Sequence, residues 1–274
     1  MGDAAAAVGG TSDPEDRQRR LQSLLAELAA LDVQRDAERV RGLLAEGAQL
    51  LDRAAEPRRW AAFRSRYASL SEDLDPPAAA AAYRDALEVW DAHSERESWL
   101  ACHEGVGWLL ARQAPLTPAQ QQEAIEHLEC AVGERPYLAA VLARLYQFHT
   151  LGDPWDNWRQ RVAYLEQDAA LIDCSAEPDR WATAMNALAV AYQEEPDADF
   201  AAALERRLAR HAQVLAALPA AAVGACIETR LALSECYRFR CQGDAAANLA
   251  AAAGYARDAL AACQIGRASC RERV

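Results

Sequence analysis

"EPDRWATAMNALAVAY", residues 177–192, decides how the chain is read. Pro178 directly after an acid suits the first turn of a helix, where the missing amide proton costs nothing. Trp181, Leu188 and Tyr192 then follow at separations of seven and four, so they fall on one stripe of a helix of about four turns. No period-two alternation competes with that pattern. Two further stretches repeat the arrangement: "EPRRWAAFRSRYASL" at 56–70 and "RESWLACHEGVGWLL" at 96–110. Each opens on a polar or Pro-containing turn and carries a Trp at the same early position.

Every one of these helices is followed by a short break and a second helical segment: "PPAAAAAYRDALEVWDAH" at 76–93, "TPAQQQEAIEHLECAVGE" at 117–134 and "ADFAAALERRLARHAQVLAAL" at 198–218. The repeating unit is therefore a helical hairpin. Trp60 and Trp99 lie 39 residues apart, and Trp99 and Trp181 lie 82 apart. That gap leaves room for one more unit, built from "RPYLAAVLARLYQF" (135–148) and "PWDNWRQRVAYLEQDAALIDC" (154–174). A last unit follows, because "CIETRLALSECY" from Cys226 overlays "WATAMNALAVAY" from Trp181, with Leu233 on Leu188 and Tyr237 on Tyr192. Period and hairpins together predict an all-α chain, an α-solenoid of stacked antiparallel helix hairpins with about 12 helices. Its expected organisation is a disordered start at 1–13, an N-terminal hairpin at 14–56, an array of about five helix pairs at 57–263, and a disordered tail at 264–274.

Composition narrows the function classes. The 274 residues carry a formal charge of −12, and all 29 basic residues are Arg. A negative surface repels phosphates, so neither nucleic acid nor an anionic membrane is expected as a partner. The absence of Lys beside abundant Ala and Arg reads as GC-rich coding and points to a bacterial source. No run is long and apolar enough for a membrane helix, and the first twenty residues lack a signal-peptide core, so the cytoplasm is the expected compartment. Eight irregularly spaced Cys make neither a disulfide framework nor a Cys-x-x-Cys pair.

Trp181, Ala182, Leu188, Ala189, Ala191 and Tyr192 resemble the first helix of a tetratricopeptide repeat, and "AAAYRDALEVW" at 80–90 resembles the second. The Pro-x-x-Trp-Ala start is similar to repeats of large bacterial proteins that end in a caspase-like CHAT peptidase or another signalling module. The resemblance covers 57–263. It implies a concave groove lined by first helices, at offsets two, five, nine and twelve from the leading Trp, that takes a peptide or partner helix. In the second unit those positions bring Glu104 and Trp108 to the groove with Arg112 one turn on, an aromatic between an acid and a base. In the fourth unit they bring Thr183, Asn186, Val190 and Gln193, with the Asn186 amide suited to a peptide backbone. A carboxylate clamp would need Lys or Arg at these offsets, whereas Ser65 and Glu104 stand at offset five. The expected function is thus a non-catalytic scaffold with a protein or peptide partner. The alternative is the recognition arm of a longer enzyme, a CHAT-type protease or signalling ATPase, with an effector domain further along the same chain.

Catalytic and cofactor motifs are missing: there is no glycine-rich phosphate loop, no His-Glu-x-x-His and no Gly-x-Ser-x-Gly. No cofactor is expected, and this portion of the chain is not expected to be an enzyme. Cys102, His103, His127 and Cys130 form the most suggestive cluster, since a hairpin turn near 115–118 sets 102 and 130 at similar heights. Cys102 and His103 point apart, however, and Cys102 lies on the packing stripe with Trp99 and Val106, so no metal site is expected. Finally, Ile265–Val274 can be written in codons as ATC GGA AGA GCG TCG TGT AGG GAA AGA GTG, which resembles a widely used sequencing adapter read in frame. Those residues are expected to be artefactual, with no role for Cys270 or its arginines.

Overall fold

The computed structural model describes residues 13–32, 35–113 and 115–271, with residues 48 and 265–271 as backbone only. The expected disordered start falls almost wholly outside these residues. Among those described there are twelve α-helices and no strand, and the chain divides into two compact units, Met1–Gln113 and Ala114–Val274. Within each unit consecutive helices pack on one another in the manner of an α-solenoid.

The first unit holds α1 (Pro14–Ala30), α2 (Ala37–Leu50), α3 (Pro57–Ser71), α4 (Pro76–Leu87) and α5 (Arg96–Arg112). Asp13 caps α1 by accepting from the Glu15 amide, and Asp75 caps α4 by accepting from Ala78. Leu21, Leu24, Leu28, Val40, Leu43, Leu44 and Phe63 join α1, α2 and α3 in one core. Where α4 meets α5, Gly105 leaves no room for a side chain: an added Cβ would stand 2.4 Å from the Tyr83 ring.

The second unit runs α6 (Pro118–Val132), a short 3-10 turn (Pro136–Leu138), α7 (Ala139–Gln147), α8 (Pro154–Leu171), α9 (Pro178–Gln193), α10 (Phe200–Ala217), α11 (Val223–Phe239) and α12 (Ala245–Arg271). Thr117 and Gln120 form a reciprocal capping box on α6, and Asp153 and Asp199 cap α8 and α10. Alternate helices also touch: α9 packs against α11 as well as against α8 and α10. The tail expected to be disordered is helical as far as Arg271. Nothing in 264–271 except Gly266 opposes helix, so the ladder of α12 simply continues through it.

One local device recurs at the helix starts. Glu56, Glu95 and Glu177 each donate an amide to the carbonyl four residues earlier, of Asp52, Asp91 and Asp173, and accept from Trp60, Trp99 and Trp181 four residues later. The three Asp side chains also accept from Ala54, His93 and Ser175, two residues on. Asp32 and Asp36 build a related turn before α2, with Val40 in the Trp position. An Asp-x3-Glu-x3-Trp register therefore locks the angle at which these helices begin.

Candidate partner-binding face

On α5, Glu104, Trp108 and Arg112 succeed one another at four-residue steps and so share a face. Trp108 is 39% exposed, a large aromatic left partly to solvent. Glu104 is half-buried, and Arg112 reaches Asp73 at 3.4 Å, a long and exposed pairing of little energetic weight. Trp108 and Arg112 are thus the open members of this series, with Glu104 set further in. The leading tryptophans are less buried than core packers would be. Trp60 is half-buried beneath the guanidinium groups of Arg53 and Arg64, at 5.1 and 5.9 Å from its ring centre. Trp99 lies against His103 and Arg96. Partial burial of this kind suits amphipathic aromatics.

On α9 the four expected groove positions split. Thr183 is exposed and its hydroxyl donates back to the Asp179 carbonyl at 2.9 Å, while Val190 is half-buried. Asn186 does not offer its amide to a peptide. Its Nδ2 donates to Thr229 Oγ1 of α11 at 3.0 Å, and its Oδ1 lies 2.8 Å from His211 Nδ1 of α10. Gln193 is also drawn inward, accepting from Arg207 at 2.7 Å. The physical reason is the neighbour: α11 covers the side of α9 on which these residues stand.

The inward network has a fixed direction. Arg207 Nε donates to His211 Nε2 at 3.1 Å, so that nitrogen carries no proton and Nδ1–H must donate to Asn186. Arg207 donates as well to Gln193 and, at 3.0 Å, to Glu235 of α11. His211 and Thr229 are both fully buried. Burial, reinforced by the Arg207 charge, pushes the His211 imidazole down to about 4, so it is neutral at pH 7.

Positions overlooked in the sequence complete the face. With Cys226 in the place of Trp181, offsets two, five, nine and twelve on α11 are Glu228, Leu231, Glu235 and Arg238, and all four are exposed. Leu231 alone leaves 51% of its surface open. The overlay that identified the last unit already contained these positions.

No protein-family model matches the chain, and no curated protein is similar to it. No group of three or more His, Cys, Asp or Glu among the described residues is arranged to hold a metal. Cys102 contacts Ser65 at 3.2 Å and its thiol is pushed up by burial, His103 lies tilted against Trp99, and His127 lies 4.0 Å from Glu123. No helix among the described residues is long and apolar enough to cross a membrane.

Proposed function

We propose that the chain is a non-catalytic interaction scaffold whose first-helix faces bind a peptide or a partner helix. The observation that carries this reading is the α11 stripe. Glu228, Leu231, Glu235 and Arg238 occupy the offsets a groove would use and are all exposed. An open leucine flanked by charges of both signs is the composition of a small recognition patch, in which apolar burial gives affinity and the charges set register. Trp108 with Glu104 and Arg112 presents the same chemistry on α5. A helix laid along such a stripe would contact it at i, i+3 and i+7 spacing.

A displayed-peptide library selected against the purified chain, followed by titration of the enriched peptides, tests the reading. Leu231→Ala and Glu228→Arg are expected to weaken those peptides by about tenfold or more, as loss of a hot-spot residue does. Equal affinity for wild type and both variants, or a library that yields no binder, would refute it.

A further inference from the structure

The second unit contains a cavity of about 260 Å³ between the segment after α7, the first half of α8 and the end of α9, at the small end of the scale for ligand sites. Tyr146, His149, Asn157, Trp158, Arg161 and Glu194 are among the residues that line it. Its walls are preformed. Asn157 Nδ2 donates to the Leu151 carbonyl at 2.8 Å, and Gly152 at φ +82° makes the turn that a side chain would oppose. Directly after the lining residue Pro196, Asp197 holds a left-handed φ of +57° and accepts from Trp155 Nε1 at 3.3 Å. A non-glycine residue in that region is retained only where its surroundings hold it there. Trp158 is anchored by its own Nε1–H on the Ala191 carbonyl at 2.8 Å. Tyr146 is fixed by donation to Glu129, also at 2.8 Å.

Arg161 is the unusual member. Its side chain is only 8% exposed, yet among the described residues it has a single partner, Glu194, engaged through Nη1. A buried guanidinium normally spends its fork of donors on several acceptors. Arg207 does so three times in the neighbouring hairpin, on Gln193, His211 and Glu235. The other donors of Arg161 are left for whatever enters the cavity. Glu194 is half-exposed at the rim, with one carboxylate oxygen outside the Arg161 contact. His149, too, has an Nδ1 shielded from solvent with no hydrogen-bond partner among the described residues. The cavity therefore offers a cation and an anion side by side, against the rings of Trp158 and Tyr146.

We propose that this cavity binds a small zwitterion of the α-amino-acid class, its carboxylate on Arg161, its ammonium on Glu194, and its side chain against Trp158 and Tyr146. A simple anion is a poorer fit, because Glu194 would repel it. A simple cation is poorer for the mirror reason at Arg161. The ligand needs both charges, held one carbon apart. None of the α5 or α11 residues named above lines this cavity, and the proposal stands or falls independently of the scaffold reading.

Ligand-observed NMR and calorimetry on the intact chain, with each proteinogenic amino acid at up to about 10 mM, reach the weakest affinity of interest. At least one is expected to bind, and its N-acetyl and carboxamide forms to bind about tenfold or more weakly, each having lost one charge-assisted contact. Glu194→Gln leaves a half-exposed, uncharged isostere and is expected to weaken binding by a similar factor. Arg161→Lys keeps the buried charge but not the fork, and is expected to do the same with unchanged circular dichroism. The proposal is overturned if no amino acid binds, if the blocked forms bind as well as the free ones, or if both folded variants bind like wild type.

Discussion

Lowering the pH should loosen the second unit through His211, and the size of the effect follows from its surroundings. In the unfolded chain an imidazole takes up its proton near pH 6.5, whereas in the fold complete burial, and secondly the Arg207 charge, hold it back to about 4. Between those values the unfolded state binds more protons, so stability falls as pH falls. The contribution is fully present above about pH 6.5, is down by about 2 kcal/mol at pH 5, and is lost to the extent of about 3 kcal/mol once pH passes below 4. The structure also supplies the reason protonation is resisted. An imidazolium cannot accept from Arg207 Nε, and two cations would face each other at 3.1 Å. Urea unfolding followed by tryptophan fluorescence, at half-unit steps from pH 7 to 4, measures the slope in wild type and in His211→Gln. Trp181, packed against Val214 and Ala225, reports on this unit. His149, which burial also pushes down, and Asp168, which burial pushes up, remain in both chains and cancel in the comparison. If the two slopes coincide between pH 6.5 and 4, or if His211 titrates near 6.5 by NMR, the buried-network account is wrong.

Two further expectations rest on packing. Gly105→Ala sets a methyl 2.4 Å from the buried Tyr83 ring, whose hydroxyl is held by Glu72 at 2.6 Å, so the ring cannot swing clear and the first unit should lose about 1–3 kcal/mol in denaturant melts. A neutral or stabilising outcome would mean that α4 and α5 are not packed this closely. Trp108→Ala should leave far-ultraviolet circular dichroism intact, cost no more than about 1 kcal/mol, and weaken any α5-dependent partner, because its ring is partly open to solvent; a loss near the 3–5 kcal/mol of a buried Trp would assign it to the core instead.

How legible these features were in the sequence depends on how far away the deciding contact lay. The helices were legible because their signals are local. Asp13, Asp75, Asp153 and Asp199 cap the segments that begin beside them, and Ala and Leu at three- and four-residue spacing do the rest. The Asp-x3-Glu-x3-Trp turn was equally local but hidden, since isolated acids in breaks look like solvated surface. Aligning 52–60, 91–99 and 173–181 on their tryptophans would have exposed it. Asn186 and Gln193 were not legible as inward residues. Their partners His211 and Arg207 stand 25 and 14 residues further on, and only the placement of α11 over α9 turns a polar groove position into a buried one. The setting of a leading tryptophan was hidden for a related reason: Arg53 and Arg64 cover Trp60 from outside, which hydrophobicity alone cannot foresee.

Two buried arginines on successive second helices show how structural and recognition roles separate on physical grounds. Burying a guanidinium removes its hydration, and the cost is offset only as its donors find acceptors. Arg207 is offset within the fold: a neutral imidazole, an amide oxygen and a carboxylate, from three helices, take its donors, and the result ties α9, α10 and α11 together. Arg207 also lines a cavity of about 270 Å³, but its donors are already taken within the chain, so that cluster reads as architecture. Arg161 on α8 is buried to a similar degree but has one carboxylate as partner, at the rim of the cavity it lines. A donor fork left open toward a preformed space gains most from a ligand that completes it. The same residue type at comparable burial thus serves cohesion where its acceptors belong to the chain, and binding where they must come from outside.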